Sequence, residues 1–121
     1  IFADNPLSIA AAAAAYEHGD QYAAEMRQYL DANFSFASDF IMEHIPKAKL
    51  RIPEATYLAW LDLRGYSEPA EGWTNFFAYK AGVLIEDGKM FVDNGAGYIR
   101  MNIACPRSVL QEALTRMAKA L

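Results

Sequence analysis

The stretch Gly97–Met117, GYIRMNIACPRSVLQEALTRM, predicts a strand followed by a helix. Side chains alternate between the two faces of a strand, and here one face is apolar and the other polar. The polar face carries Tyr98, Arg100 and Asn102, and the apolar face carries Ile99, Met101 and Ile103. Pro106 ends the strand, and Ser108 followed by Gln111 has the spacing of a capping box. The helix it opens should pack through Val109 or Leu110, Ala113, Leu114 and Met117.

Two helices are predicted near the start of the chain. Asn5 can cap the first, with Pro6 at its first position and Gly19 at its end. Asp20 can cap the second, a long amphipathic helix whose apolar stripe is Met26, Leu30, Phe34, Ala37, Ile41 and Ile45. Tyr22, Tyr29, Phe36 and Phe40 widen that stripe to about half of the circumference. Such a helix is either deeply buried in its own domain or shared with a second domain.

Short strands and one helix fill the middle of the chain. Ala48–Ile52 and Ala55–Leu63 predict strands separated by Pro53-Glu54. The second is apolar on both faces, which predicts a central strand covered on both sides. Ser67 can cap a helix that ends at Gly82, and Asp87-Gly88 can form a turn between two short strands, Val83–Ile85 and Met90–Val92. With no internal repeat, the 121 residues form one α/β unit.

Composition excludes several classes of protein. The net charge is −4 with scattered basic residues, so nucleic acid is not an expected partner. The Ala-rich run Ile9–Ala15 is too short for the ~18 to 20 apolar residues of a membrane span. With a single cysteine, Cys105, the chain forms no internal disulfide, and a cytoplasmic protein is expected. Because the chain opens at Ile1 rather than Met, we expect a preceding segment.

Most chemically capable residues predict structural roles. His18 and His44 lack the spacing of a metal site, which favours surface or capping positions. Cys105, next to Pro106, is expected to be a small buried hydrophobic residue rather than a nucleophile. Gly95-Ala96-Gly97 precedes a strand, whereas a phosphate-binding loop precedes a helix, so it is a turn. No two of Asp62, Asp87 and Asp93 pair as acid and base.

Arg100 differs because it is a cation in the middle of an apolar strand, where an unpaired charge is costly. It therefore needs an anionic partner. An internal salt bridge to Asp62 or Glu54 would satisfy it. A guanidinium can equally bind the carboxylate of a ligand through two parallel hydrogen bonds. The spacing alone favours the internal salt bridge, with the ligand as the alternative.

Four segments in order resemble the carboxy-terminal small domain of class I/II aminotransferase-fold enzymes, in the cystathionine beta-lyase-like branch. They are Gly97–Met117, PEATYLAWLDLRGY from Pro53 to Tyr66, GVLIEDGKMF from Gly82 to Phe91, and AAAAYEHGD together with Leu30-Asp31-Ala32-Asn33. The resemblance covers nearly the whole chain. It implies a small, mainly antiparallel sheet with packed helices, and residues 1–45 as helices that connect to a large domain. One departure is Val92-Asp93-Asn94, where the branch has a glycine soon after the phenylalanine, and it affects the loop at the substrate entrance.

The resemblance also implies chemistry. Arg100 matches the arginine that binds the α-carboxylate of an amino-acid substrate. Pyridoxal 5′-phosphate (PLP) is the cofactor of the parent protein and acts as an electron sink. Its lysine and phosphate-binding residues should precede Ile1, since Lys47, Lys49, Lys80, Lys89 and Lys119 lie outside matching motifs and are expected at the surface. The isolated chain should therefore bind no cofactor and be inactive.

For the parent, the resemblance implies a homodimer that cleaves the carbon–sulfur bond of a thioether amino acid. Transamination on the same scaffold is the alternative reaction. A non-catalytic α/β module for ligand binding or protein interaction is the alternative from another class. The sequence before Ile1 would separate the last alternative from the other two.

Overall fold

The computed structural model describes residues 5–121. It contains α1 Pro6–His18, α2 Asp20–His44, β1 Lys49–Leu50, β2 Leu58–Asp62, α3 Gly72–Ala81, β3 Glu86–Asp87, a 3-10 helix Gly88–Met90, β4 Tyr98–Asn102 and α4 Arg107–Ala120. The predicted α/β class with a small antiparallel sheet and packed helices is confirmed.

The four strands form one sheet in the order β1-β2-β4-β3, with every neighbouring pair antiparallel. β2 is an inner strand, as predicted. Its Ala59 and Leu61 are buried, whereas Leu58 and Trp60 are half-buried. The expectation that β2 is covered on both sides therefore fails within the described residues, because helices pack against one face of the sheet only.

The packed face of the sheet is part of the hydrophobic core. Ile99 and Met101 of β4 are buried there, as the alternation predicts, and so are Leu110, Leu114 and Met117 of α4. Val109, the other candidate for the α4 contact, is exposed. The rings of Trp73 and Phe77 in α3 stack with centroids 5.6 Å apart. The core thus joins both inner strands to three helices.

The long helix α2 is buried over its second half only. Phe34, Ala37 and Ile41 of the predicted stripe are buried, and Ile45 follows at the helix end. Met26 is exposed, and α1 has no buried residue at all. Within residues 5–121, α1 and the first half of α2 therefore form an arm that leaves the domain.

Asn33 ties α2 to the chain that follows β4. Its side chain is fully buried, and Nδ2 donates to the carbonyl oxygens of Ile103 at 2.9 Å and Cys105 at 3.0 Å. Arg107 Nε donates to Asn33 Oδ1 at 2.8 Å. A buried amide with all its polar atoms bonded fixes the two segments relative to each other. An asparagine within the apolar stripe was the sequence signal for this contact.

Gly19 follows the last residue of α1, as predicted. Two further predicted helix caps agree with the structure, and three do not. Leu7 N–H donates to Asn5 Oδ1 at 3.0 Å, and Gly82 takes the left-handed conformation after α3 (φ 64°), as predicted. Asp20 makes no capping bond, because helical hydrogen bonds continue through Gly19 between α1 and α2. Ser67 does not cap α3, which begins after Glu71, and Ser108 lies inside α4, whose cap is Pro106.

Several predicted strands are shorter or absent. Ala48–Ile52 is reduced to β1. Ala55–Leu63 is reduced to β2, because Thr56 has a positive φ of 72° that interrupts extended backbone. Val83–Ile85 forms no strand, and pairing begins one residue later at Glu86. The predicted strand Met90–Val92 is wrong, since Lys89 N–H donates to Asp87 Oδ1 and the chain turns into the 3-10 helix.

Candidate functional site

The open face of the sheet is the face that carries Trp60, Tyr98 and Arg100. Antiparallel register places Trp60 of β2 directly opposite Arg100 of β4, and Arg100 opposite Glu86 of β3. Residues that are direct partners in a sheet point to the same face, so these three side chains form a row across three strands. The polar row predicted for Tyr98, Arg100 and Asn102 is thus joined by residues of two other strands.

An aromatic row, defined as Phe91, Trp60 and Tyr98, lines the open face. The ring centroids of Trp60 and Phe91 are 6.0 Å apart in an edge arrangement, and those of Trp60 and Tyr98 are 6.0 Å apart and stacked. Each end of the row meets a cation. The Arg100 guanidinium carbon lies 3.9 Å from the Phe91 ring centroid, and that of Arg64 lies 4.7 Å from the Tyr98 centroid.

Arg100 is half-buried, with 27% of its side chain exposed. Its Nε donates to Glu86 Oε2 at 2.7 Å, and Nη2 lies 2.5 Å from the same oxygen. Neither Asp62 nor Glu54, the two internal partners proposed from the sequence, pairs with it. The pairing with Glu86 was missed because β3 begins after the predicted strand Val83–Ile85. A glutamate directly following that segment was the available signal.

Asp62 pairs with Arg64 instead. Arg64 Nε donates to Asp62 Oδ1 at 2.9 Å, Nη2 donates to Oδ2 at 2.7 Å, and the Arg64 backbone N–H also donates to Oδ1 at 2.9 Å. The hydrogen bonds from the Arg64 side chain hold the pKa of the Asp62 carboxyl below its usual range. Both oxygens of this carboxylate are therefore occupied.

Two cavities adjoin the aromatic row. The larger, of about 620 Å³, lies between Trp60, Tyr98 and the segment Lys49–Glu54. The smaller, of about 300 Å³, is lined by Trp60, Arg64, Val92, Asn94 and Tyr98. Two residues of the unusual loop Val92-Asp93-Asn94 thus face the aromatic row. The loop is held by Gly95 N–H, which donates to the Val92 carbonyl at 3.0 Å. Arg100 itself lines neither cavity.

The remaining chemical groups lie elsewhere. His18 and His44 are surface residues, each near its preceding glutamate. Cys105 is half-buried rather than buried, and desolvation raises the pKa of its thiol. Among residues 5–121, no three His, Cys, Asp or Glu side chains are grouped to hold a metal ion. No helix in that range is long and apolar enough to cross a membrane.

The five lysines do not fit the attachment of PLP. A lysine that forms a covalent bond to a cofactor needs a desolvated amine with a lowered pKa. Lys47, Lys49, Lys80, Lys89 and Lys119 are all exposed. Lys89 pairs with Glu68, which raises its pKa instead. The expectation that these lysines are surface residues is confirmed.

Comparison with known proteins gives consistent relatives. No family model matches the chain. Cystathionine beta-lyase PatB of Bacillus subtilis is 32% identical over 117 residues, covering 97% of this chain and 30% of that protein. The PLP-bound C-S lyase of Staphylococcus hominis, in complex with L-cycloserine, has a TM-score of 0.91 and 46% identity, covering 97% of this chain and 29% of that one. PLP-containing cystalysin from Treponema denticola has a TM-score of 0.82 and 32% identity, covering 88% of this chain and 27% of that one.

The chain therefore has the fold of the small domain of PLP-dependent enzymes of the aminotransferase class. Within that class, its sequence belongs to the cystathionine beta-lyase-like, or C-S lyase, branch. It spans about 30% of the length of the relatives it matches. The solved relatives from Staphylococcus hominis and Treponema denticola contain PLP.

Proposed function

We propose that this chain is the substrate-carboxylate-binding domain of a PLP-dependent C-S beta-lyase, with Arg100 as the binding residue. The observation that carries the proposal is the state of Arg100. Its Nε edge is bonded to Glu86, whereas no acceptor in the described part of the chain bonds Nη1. A guanidinium offers a planar fork that matches a carboxylate with two hydrogen bonds. The Phe91 ring lies 3.9 Å from the guanidinium carbon, and Trp60 is the cross-strand partner of Arg100. Apolar surface beside a charged hydrogen bond strengthens it.

The relatives named as C-S lyases support carbon–sulfur bond cleavage as the parent reaction. With water, a thioether amino acid would yield a thiol, pyruvate and ammonium, so that the carbon–sulfur bond breaks and the sulfur leaves with its electron pair. PLP, when bound, supplies the electron sink for the α-carbon. The contribution of this chain is to bind the carboxylate and to fix the orientation of the α-carbon. Transamination is the alternative, and product analysis separates the two reactions.

The partner of this domain is the proposed large domain of the same protein, reached through the helices in residues 1–45. The α1–α2 arm of this chain exposes three aromatic residues, Tyr16, Tyr22 and Tyr29. They support that assignment, since large exposed apolar surfaces mark contact sites. The five exposed lysines support the further proposal that the isolated chain is inactive. A homodimeric parent in the cytoplasm completes the proposal.

The test is the substitution Arg100→Lys in the full-length holoenzyme. Lysine keeps the charge but loses the planar fork, so kcat/KM should fall by about 30-fold or more. The thermal midpoint should stay near that of the original protein. A lowered midpoint with unchanged kcat/KM would instead assign Arg100 a structural salt bridge to Glu86 and refute the carboxylate role.

A further inference from the structure

We propose that Glu86 is a positioning residue for Arg100. It holds one edge of the guanidinium so that the opposite edge faces a carboxylate ligand. This inference rests on the proposed function of Arg100 and assigns a second residue to the same site. Glu86 reaches Arg100 because the two are direct cross-strand partners between β3 and β4.

The contact uses a particular edge of the guanidinium. A single carboxylate oxygen, Glu86 Oε2, takes both Nε at 2.7 Å and Nη2 at 2.5 Å. A guanidinium has five N–H donors, and the pair on Nη1 and Nη2 that points away from Nε forms the terminal fork. That fork is left available by Glu86. The ion pair therefore orients Arg100 without consuming the edge that binds a carboxylate end-on.

Phe91 also contacts the Arg100 guanidinium and limits its movement. The Arg100 guanidinium carbon lies 3.9 Å from the Phe91 ring centroid, so a cation–π contact helps to hold the group in place while Glu86 sets its direction. An arginine held in its binding geometry loses less side-chain entropy when a ligand arrives. Glu86 should thus strengthen binding of a carboxylate even though both groups are negative.

In the opposite role, Glu86 would compete with the ligand for the Arg100 guanidinium. If Glu86 occupied the guanidinium in place of the ligand, its removal would tighten binding. The two roles predict changes of opposite sign in one measurement. A neutral glutamine keeps an oxygen acceptor for Nε and Nη2, so Glu86→Gln should retain much of the positioning effect, whereas Glu86→Ala should lose it.

The experiment measures inhibition of the full-length holoenzyme by L-alanine and by L-alaninamide, which differ only in the carboxylate. Glu86→Ala should weaken the affinity for L-alanine by about threefold to tenfold. The affinity of Glu86→Gln should lie between those of Glu86→Ala and the original protein. The affinity of Glu86→Ala for L-alaninamide should change by less than about twofold. For the substrate, KM of this variant should rise more than kcat falls. Glu112→Ala is the matched control, because Glu112 also pairs with an arginine, Arg116, but on the surface of α4.

Three outcomes overturn the inference. Tighter L-alanine binding in Glu86→Ala would assign competition. Unchanged L-alanine binding in Glu86→Ala, while Arg100→Lys weakens it, would remove Glu86 from the site and leave the function of Arg100 intact. Unchanged binding in Arg100→Lys would refute the proposed function together with the role of Glu86. If Glu86→Ala fails to fold, an L-alanine affinity in Glu86→Gln equal to or tighter than that of the original protein overturns the inference in its place.

Discussion

Arg64 and Arg100 both lay a guanidinium against an aromatic ring of the same open face, but their carboxylate partners differ. Asp62 gives Arg64 both oxygens and lies two residues away. Glu86 gives Arg100 one oxygen and lies on another strand, 14 residues away. The Arg64 side chain is 61% exposed, against 27% for Arg100. A locally satisfied, exposed cation suits a structural turn, whereas a half-buried cation with an unbonded fork suits a ligand.

The difference also concerns what holds each site together. The Asp62–Arg64 contact is closed within one turn and needs little from the rest of the fold. Arg100 depends on the register of β3 and β4 and on the loop that carries Phe91. Substitutions in the surrounding fold should therefore affect the two sites unequally.

The largest effect is expected from Asn33→Ala, which removes the tie between α2 and the segment after β4. Asn33 would lose three hydrogen bonds, a buried one to the Ile103 carbonyl and two partly buried ones to the Cys105 carbonyl and the Arg107 guanidinium. The expected loss is about 2 to 4 kcal/mol of stability. Urea unfolding of the intact protein measures it.

The matched control is Asn75→Ala, because Asn75 makes one exposed bond to the Glu71 carbonyl at 3.0 Å. It should cost much less. Equal effects of the two substitutions would contradict the role of Asn33 as a buried tie. L-alanine affinity should fall in Asn33→Ala if the end of β4 must be fixed for Arg100 to bind.

Gly97→Ala should disturb the Arg64 site and spare the Arg100 site. Gly97 has a φ of 78°, and a Cβ there would lie 2.5 Å from Arg64 Cγ. The strain should cost about 1 to 2 kcal/mol. The thermal midpoint should fall while L-alanine affinity changes by less than about twofold. Ala96→Ser, at the exposed neighbouring position, controls for the loop. A large loss of affinity would show that the two sites are coupled.

The smallest effect concerns pH. Since Arg64 holds the pKa of Asp62 below its unfolded value, the pair stabilises the fold above that value, and the contribution is lost as the pH falls through the lowered pKa. Asp62→Asn should lower the midpoint at pH 7 by about 2 °C or less, since exposed pairs contribute little. The difference in thermal midpoint between Asp62→Asn and the original protein should become smaller at acidic pH. A difference that grows as the pH falls would refute this ion pair as its cause.

The features that were predicted correctly are those that depend on the periodic spacing of buried residues along a helix or strand. The alternation from Tyr98 to Ile103 and the stripe from Phe34 to Ile45 were correct, because each needs only one apolar surface. The caps at Asp20, Ser67 and Ser108 were wrong, because a side chain caps a helix only if the neighbouring backbone lets the helix begin there. Asn5, with Pro6 beside it, met that condition.

The environment of Arg100 was only partly predictable. Its position on an open face followed from alternation. Its contact with Glu86 depends on the register of a two-residue strand, and its contact with Phe91 depends on a 3-10 turn in place of a predicted strand. Neither is encoded in local periodicity. The tie at Asn33 spans 70 residues to Ile103, so it too required the folded chain.

We propose that Arg100, and not Arg64, recognises the substrate carboxylate. The most direct measurement is the ratio of affinities for L-alanine and L-alaninamide in full-length holoenzyme carrying Arg100→Lys or Arg64→Lys. We expect Arg100→Lys to reduce the preference for the acid by about tenfold or more and Arg64→Lys to leave it within about twofold. An unchanged preference in Arg100→Lys, or an equal loss in both variants, would contradict the claim.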